Sequence, residues 1–261
     1  MKILFFGDII GRPGREGVAN IMGQLRKKYN PDVVGANVEN LKHGRGISKE
    51  TLNEISEAGV DFFTSGNHVW EGGEAKELLE KRDMPLVRPA NYPPGAPGKG
   101  FCTVQVGTKK LLIINLMGRV FMREQIDCPM RKADEILEGL EEDKPDAIFV
   151  DFHAETTSEK RILGFYLDSR VSAIAGTHTH VPTADEQILP GGTGYITDAG
   201  MCGPYDSSIG VDKEIMIKDM LMQVPQKKEI AETGKIEIGA VLFDVDKEGK
   251  CKKVKRIRAI V

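Results

Sequence analysis

Cysteine is scarce in this chain. The four residues (Cys102, Cys128, Cys202 and Cys251) lie far apart and form no C-x-x-C pair. That excludes a zinc knuckle and suggests no disulfide framework, so a cytoplasmic protein with reduced thiols is expected. Long hydrophobic runs are absent too: nothing approaches the roughly 18 apolar residues of a membrane span. The opening run 3–6 is cut by Gly7-Asp8, too early for the apolar region of a signal peptide. Neither sign of charge prevails, with 36 Lys and Arg against 39 Asp and Glu, a net charge of −3. Such a balance argues against a general nucleic-acid coat. The Gly-Lys-Ser/Thr of a Walker loop is missing, as are the Glu-x-x-His pairs of helical di-iron proteins. No repeat, low-complexity tract or linker interrupts residues 1–261, which read as one domain. At 40% hydrophobic and 29% charged, the composition is that of a soluble protein with a large core.

What is present is an alternation of apolar runs and helical periodicity. Residues 3–6, 33–38 and 61–65 predict strands, each followed by a helix, over 15–29, 48–58 and 71–82. Ile21 and Leu25 share one face of the first helix, and Ser48 or Thr51 caps the second. Short links of this kind predict a parallel sheet covered by helices. The stretch 89–100, rich in Pro and Gly, reads as a surface loop. Strands 101–106 and 110–115 are joined by Gly107-Thr108-Lys109, a hairpin. The alternation then resumes: helix 130–141, strand 147–152, helix 158–167 and strand 171–175. Strands 186–189, 194–197, 235–244 and 252–260 follow, with a helix over 213–222. Ile236, Ile238, Ala240 and Leu242 alternate with charged or small residues, as in an antiparallel strand with one solvated face. The predicted fold class is α/β, two mixed β-sheets packed face to face and flanked by helices.

Of the five histidines, four follow runs that read as strands, in Gly66-Asn67-His68, Asp151-Phe152-His153 and Gly176-Thr177-His178-Thr179-His180. Two further runs end in Gly7-Asp8 and Asn37-Val38-Glu39-Asn40. In an open α/β sheet the carboxyl ends of the strands form the edge where ligands bind. Five distant segments therefore aim carboxylate, amide and imidazole groups at one point. Asp8, Glu39, Asn40, Asn67, His153, His178 and His180 include no thiolate, a set that suits Fe, Mn or Zn rather than a soft ion. Seven candidates exceed the need of one tetrahedral zinc, whereas two cations sharing a carboxylate use them all. A pair roughly 3.5–4 Å apart clamps a phosphoryl group. His178 and His180 project the same way if their segment is extended; in a loop they split between the two metals. Gly11-Arg12-Pro13-Gly14-Arg15 reads as a tight turn with a Pro opening the helix, or as a phosphate approach with Arg12 as charge partner. His43 reads as a loop histidine near the mouth, Tyr205 and Asp206 as residues that shape a substrate pocket. The basic stretch 252–256 reads as a solvated strand face rather than an RNA-binding one.

The order of these motifs resembles the calcineurin-like metallophosphoesterase superfamily, whose pattern runs D-x-H, G-D, G-N-H, H and G-H-x-H. Gly66-Asn67-His68 matches the third element, and residues 176–180 match the last with one inserted Thr. Ile10 stands where the first histidine is expected, and Glu39-Asn40 replaces the usual aspartate. Those departures resemble the YmdB-like branch, with its G-D-I-x-G, E-N and T-H-T-H elements and the segment Gly203-Pro204-Tyr205-Asp206-Ser207. The likeness covers nearly the whole chain. It implies one metal held by Asp8, Glu39, Asn40 and His180 and a second by Glu39, Asn67, His153 and His178, with Glu39 as the bridge. It also implies iron as the usual metal, with Mn or Zn as alternatives, and a phosphodiesterase acting on cyclic nucleotides, 2′,3′-cyclic nucleotides foremost.

On that reading a metal-bridging hydroxide attacks phosphorus in line and opens the cyclic diester. His68 binds no metal and protonates the departing ribose oxygen, a role suited to an imidazole of free pKa about 6.5. The expected partner is a small cyclic nucleotide, with no membrane and no stable nucleic acid; a homo-oligomer is left open. One rival is a phosphomonoesterase or protein phosphatase on the same scaffold, disfavoured by the missing first-motif histidine. Another is a non-catalytic regulatory or nucleotide-sensing protein, disfavoured by a spare acid beside a complete ligand set.

Overall fold

The computed structural model describes residues 1–81, 84–140 and 144–261. Strand β1 (Lys2–Ile9) shows how its layers arise. Ile3 and Phe5 point one way and Leu4 and Phe6 the other, and all four are buried, so both faces of the strand are covered. Leu4 and Phe6 pack under Val18, Ile21 and Leu25 of α1 (Gly11–Tyr29) and Leu52 and Ile55 of α2 (Lys49–Glu57). Ile3 and Phe5 face a second sheet. Phe149 lies between the sheets, its ring centroid 4.7 Å from Phe5, 5.7 Å from Phe62 and 6.1 Å from Phe243.

The first sheet has the order β12 (Cys251–Ile260), β11 (Ile236–Val245), β10 (Met201–Pro204), β1, β2 (Val33–Asn37), β3 (Phe62–Thr64). The second has the order β4 (Phe101–Val106), β5 (Lys109–Met117), β6 (Ala147–His153), β7 (Ala173–Thr177), β9 (Gly194–Ile196), β8 (Gln187–Ile188). Its outer face is covered by α4 (Pro129–Glu138) and α5 (Thr157–Leu167), through Ala133, Ile136, Leu163 and Leu167. Helices α3 (Ala75–Leu79) and α6 (Lys213–Met222) complete the list. Strands β10, β1, β2 and β3 run parallel, as do β5, β6, β7 and β9. Each sheet therefore gathers its carboxyl ends at one edge. This is the two-sheet α/β sandwich the sequence predicts.

Along the inner faces the chemistry changes toward that edge. Val33, Phe62, Ile113, Phe149 and Ala173 give way, at even spacing, to Asn37, Thr64, Asn115, Asp151 and Thr177. Strand β1 reaches the same result by an irregularity. Phe6 pairs with Ala36 but Asp8 with Asn37, so Gly7 is a bulge residue. Without it Asp8 would share the outer, helix-covered face of Phe6; the bulge turns it inward. Only glycine fits there, since a Cβ on Gly7 would lie 1.8 Å from the Gly200 carbonyl oxygen.

Several boundaries differ from expectation. The helix expected over 71–82 is confined to α3, because Gly72 and Gly73 take left-handed φ of 91° and 86° and hold a turn first. Its expected end at Arg82, and that of the 130–141 helix at Glu141, fall outside the described residues. Helix α1 begins at Gly11 rather than Arg15 and takes Pro13 into its first turn. Ser48 does cap α2, in a reciprocal capping box with Thr51. Strand β10 is an addition to the expected elements. Gly203-Pro204 argues against a strand locally, yet Cys202 and Pro204 pair with β11 opposite Ile238 and Ile236. Gly7→Ala should destabilise the fold by about 3 kcal/mol, the upper range for overpacking. A urea midpoint equal to that of the unsubstituted chain would refute this account of the bulge.

Candidate metal centre

The polar edge brings the predicted residues together. Glu39, His153 and His178 each offer a ligand atom within 4.8 Å of the others. His153 Nε2 lies 3.2 Å from Glu39 Oε1, 2.9 Å from Asn67 Oδ1 and 3.1 Å from His178 Nδ1. His180 stands on the other side, its Nε2 3.8 Å from Asp8 Oδ1. The His178 N–H donates to Asp8 Oδ2 at 3.0 Å, and Asn40 Nδ2 donates to Glu39 Oε1 at 3.3 Å. His178 and His180 have φ of 94° and 63°, so their segment is a loop, and they face different members of the group. Glycine is again required where the chain passes close: a Cβ on Gly66 would lie 2.2 Å from His153 Nε2.

This donor set fits divalent cations. Asp8 Oδ1 is fully buried and has no hydrogen-bond partner, a cost that a bound cation removes. Glu39 Oε1, Asn67 Oδ1 and His178 Nδ1, all electron-pair donors, crowd around His153 Nε2, which offers its own lone pair once deprotonated. Each histidine, moreover, engages an outer partner with its second nitrogen. His153 Nδ1 lies 3.0 Å from Thr177 Oγ1, whose hydroxyl donates to Asp151 Oδ1 at 2.7 Å, so Nδ1 carries the hydrogen. His178 Nε2 lies 3.0 Å from Glu155 Oε2, and His180 Nδ1 2.9 Å from the Ile209 carbonyl oxygen. Outer partners of this kind fix tautomer and ring orientation at metal sites.

His68 stands apart from the cluster. Its backbone N–H donates to Glu39 Oε2 at 2.8 Å, while its ring Nδ1 lies 2.8 Å from Glu71 Oε1. Arg12 is exposed, donates to Glu232 Oε2 at 2.9 Å, and is not among the residues lining the cavity above the site. Tyr205 lines a smaller cleft on the far side of His180, with Arg256 and Arg258. Neither therefore sits among the groups that converge. Sequence reasoning missed Glu71, Glu155, Thr177 and the Ile209 carbonyl. The first two had a faint signal, an acid three residues after His68 and another two after His153; a main-chain oxygen has none.

A sequence profile for YmdB-like proteins matches residues 4–257. The chain belongs to that family. A curated relative from Bacillus subtilis (strain 168), named 2′,3′-cyclic-nucleotide 2′-phosphodiesterase, is 46% identical over 259 residues, covering 98% of this chain and 96% of that protein. A solved structure described as a novel phosphatase from Mycoplasma pneumoniae matches with a TM-score of 0.93 at 36% identity, covering 100% of this chain and 93% of that one. A hypothetical protein from Thermus thermophilus matches with a TM-score of 0.92 at 43% identity, covering 100% and 99%. The metallophosphoesterase fold of this YmdB-like chain implies divalent metal ions.

Burial and neighbouring charge set the protonation states. Burial pushes the His153 imidazole down, but Glu39, Asp8 and Asp151 overrule it and raise it to about 9. Burial and the charged His153 beside it drive His178 down to about 3. Burial raises Asp8 against the pull of His180 and His153. The metal-free site thus holds a proton on His153 at pH 7. The stabilisation that proton supplies is complete below the unfolded pKa of about 6.5 and fades as pH rises through about 9. A cation needs the Nε2 lone pair, so binding at pH 7 should release about one proton. Calorimetric titration with Mn²⁺ in buffers of different ionisation enthalpy measures that release; heats independent of buffer would contradict it.

Proposed function

We propose that this YmdB-like protein is a metal-dependent phosphodiesterase that opens 2′,3′-cyclic nucleotides at the 2′ oxygen. The observation that carries this reading is the position of His68, an imidazole that borders the metal cluster without joining it. Glu71 accepts from Nδ1–H and so leaves Nε2 free for a ligand, and the same turn ties the His68 backbone to Glu39. The name of the Bacillus subtilis relative supplies the substrate class.

A cavity of about 480 Å³ opens above His68, His180 and Asn40, within the usual size of small-molecule sites. Arg45 and Lys228 outweigh Glu229 on its wall and favour an anionic ligand, while Ile10, Met216 and Ile230 give it an apolar side for a base. Among the described residues, a larger groove of about 710 Å³ along the β4 edge is lined by no carboxylate and no imidazole.

In this reading Asp8, Glu39, Asn40 and His180 would hold one cation and Glu39, Asn67, His153 and His178 the other, with iron the first choice and Mn or Zn the alternatives. Bound there, the cations neutralise phosphoryl charge and lower the pKa of water. The chain's own residues do the rest. Arg45 and Lys228 draw the anion in; as the oxygen of a water bonds to phosphorus, His68 Nε2–H gives its proton to the departing 2′ oxygen, leaving a 3′-monophosphate. Glu71 keeps the ring turned for that transfer.

The test is turnover on 2′,3′-cyclic nucleotides, bis-p-nitrophenyl phosphate and p-nitrophenyl phosphate, with the metals counted. His68→Ala should lower kcat about 10²–10⁴-fold, the usual worth of a general acid, and keep its metals, whereas Asp8→Asn should lose metal and turnover together. Metal loss in His68→Ala would make it a ligand. Preference for the monoester would favour a phosphomonoesterase, and metal binding without turnover on any substrate a sensor.

A further inference from the structure

Among the described residues, Lys160 is the only buried lysine, 1% exposed. It stands on α5, and its Nζ donates to Asp198 Oδ2 at 2.6 Å and to Thr179 Oγ1 at 3.4 Å. Asp198 is itself fully buried. Each further hydrogen bond of its carboxylate goes to a loop of the metal centre. Oδ2 accepts from the Thr179 N–H at 3.2 Å and its hydroxyl at 2.6 Å; Oδ1 accepts from the Gly200 N–H at 2.8 Å. The Gly200 carbonyl in turn accepts from the Asp8 N–H at 3.1 Å. Among the described residues, neither Lys160 nor Asp198 hydrogen-bonds a candidate ligand side chain.

Stability does not explain this pair, since a buried ion pair is often replaced by apolar residues with no loss. Backbone strain does. His178 and His180 both hold left-handed backbone, with φ of 94° and 63°, and such conformations persist in non-glycine residues only where the surroundings over-determine them. Thr179 is the residue between them, and all of its bonds described above go to Lys160 and Asp198.

We propose that Lys160 and Asp198 are positioning residues of the metal centre. The buried pair clamps Thr179, so that the histidines on either side stay in the strained backbone that points one toward Glu39 and His153 and the other toward Asp8. Lys160 neutralises the carboxylate; the carboxylate fixes the loop. This rests on the reading above that His178 and His180 bind metal.

The test is the Kd for Mn²⁺ of the purified full chain carrying Lys160→Met, Asp198→Asn or Thr179→Val, beside its melting temperature. Leu163→Ala, a fully buried position on the same helix, serves as a purely structural control. The three clamp variants should bind Mn²⁺ about 10–100-fold more weakly, the usual effect of losing an outer-sphere partner. Leu163→Ala should lower the melting temperature and leave the Kd unchanged. Thr179→Val keeps the buried charges paired and so carries the test if the other two fail to fold. Wild-type affinity in Thr179→Val, or an equal loss in Leu163→Ala, overturns the clamp. His178→Ala separates the two levels: if it too binds Mn²⁺ normally, the ligand assignment falls and the clamp with it. If it loses Mn²⁺ while the clamp variants do not, the clamp alone falls.

Discussion

Asp151 lies where the two sheets meet, and the site above it depends on the bonds it collects. Its carboxylate is fully buried and accepts from Asn37 Nδ2 at 3.0 Å and from the Thr64 hydroxyl, both on the first sheet. From the second sheet it accepts the Thr177 hydroxyl at 2.7 Å. Burial holds this acid up at about 7, against the hydrogen bonds and the neighbouring His153. A carboxyl so placed costs free energy unless every lone pair is used. Its partners therefore fix the registration of β2 and β3 over β6 and β7. That registration is what lets Glu39, from beyond β2, reach His153, at the end of β6. Thr177 passes the constraint on, because its oxygen also faces His153 Nδ1.

The sandwich then has three tiers along its seam. Phenylalanines and aliphatic residues fill the first, where Phe149 meets Phe5, Phe62 and Phe243. Asn37, Thr64, Asn115 and Asp151 form the second, bonded to one another or to the backbone. The third holds the carboxylates and imidazoles that suit a cation. Each tier prepares the next. The apolar layer keeps out water, so charges above it act at short range in low dielectric. The amide and hydroxyl layer lets polarity begin inside a dry interior at little cost. Glycines stand where the layers crowd, Gly7 against the Gly200 carbonyl and Gly66 against the His153 ring. The position of Gly7 also settles which way Asp8 points.

The family of this chain and the site's place in it follow from different kinds of signal. Gly-Asn-His, Glu-Asn and the two-histidine ending were readable because a metal site needs particular residue types at strand ends, whatever the distance between them in sequence. The strands themselves were readable as apolar runs, and a cap for α2 in Ser48 or Thr51; the solvated face expected of β11 was wrong, since that strand is buried on both faces. Strand β10 was hidden because Gly203 and Pro204 oppose strand formation locally. Only pairing with β1 and β11 overrides that preference. The shortened α3 was hidden for the opposite reason: apolar residues continue, but two left-handed glycines set its start.

The residues of this YmdB-like protein thus determined by themselves its layered α/β class, the edge at which polar groups gather and the histidines that gather there. Local chemistry carries those, since periodicity and strand-end motifs do not depend on what packs against them. Tertiary structure alone decided the distant partners: Glu155 behind His178, the Ile209 carbonyl behind His180, and Lys160 with Asp198 behind Thr179. It also decided that His178 and His180 diverge, because their left-handed backbone exists only where long-range hydrogen bonds hold it. Contacts between residues up to 38 positions apart, as between Lys160 and Asp198, leave no mark on the sequence around either one.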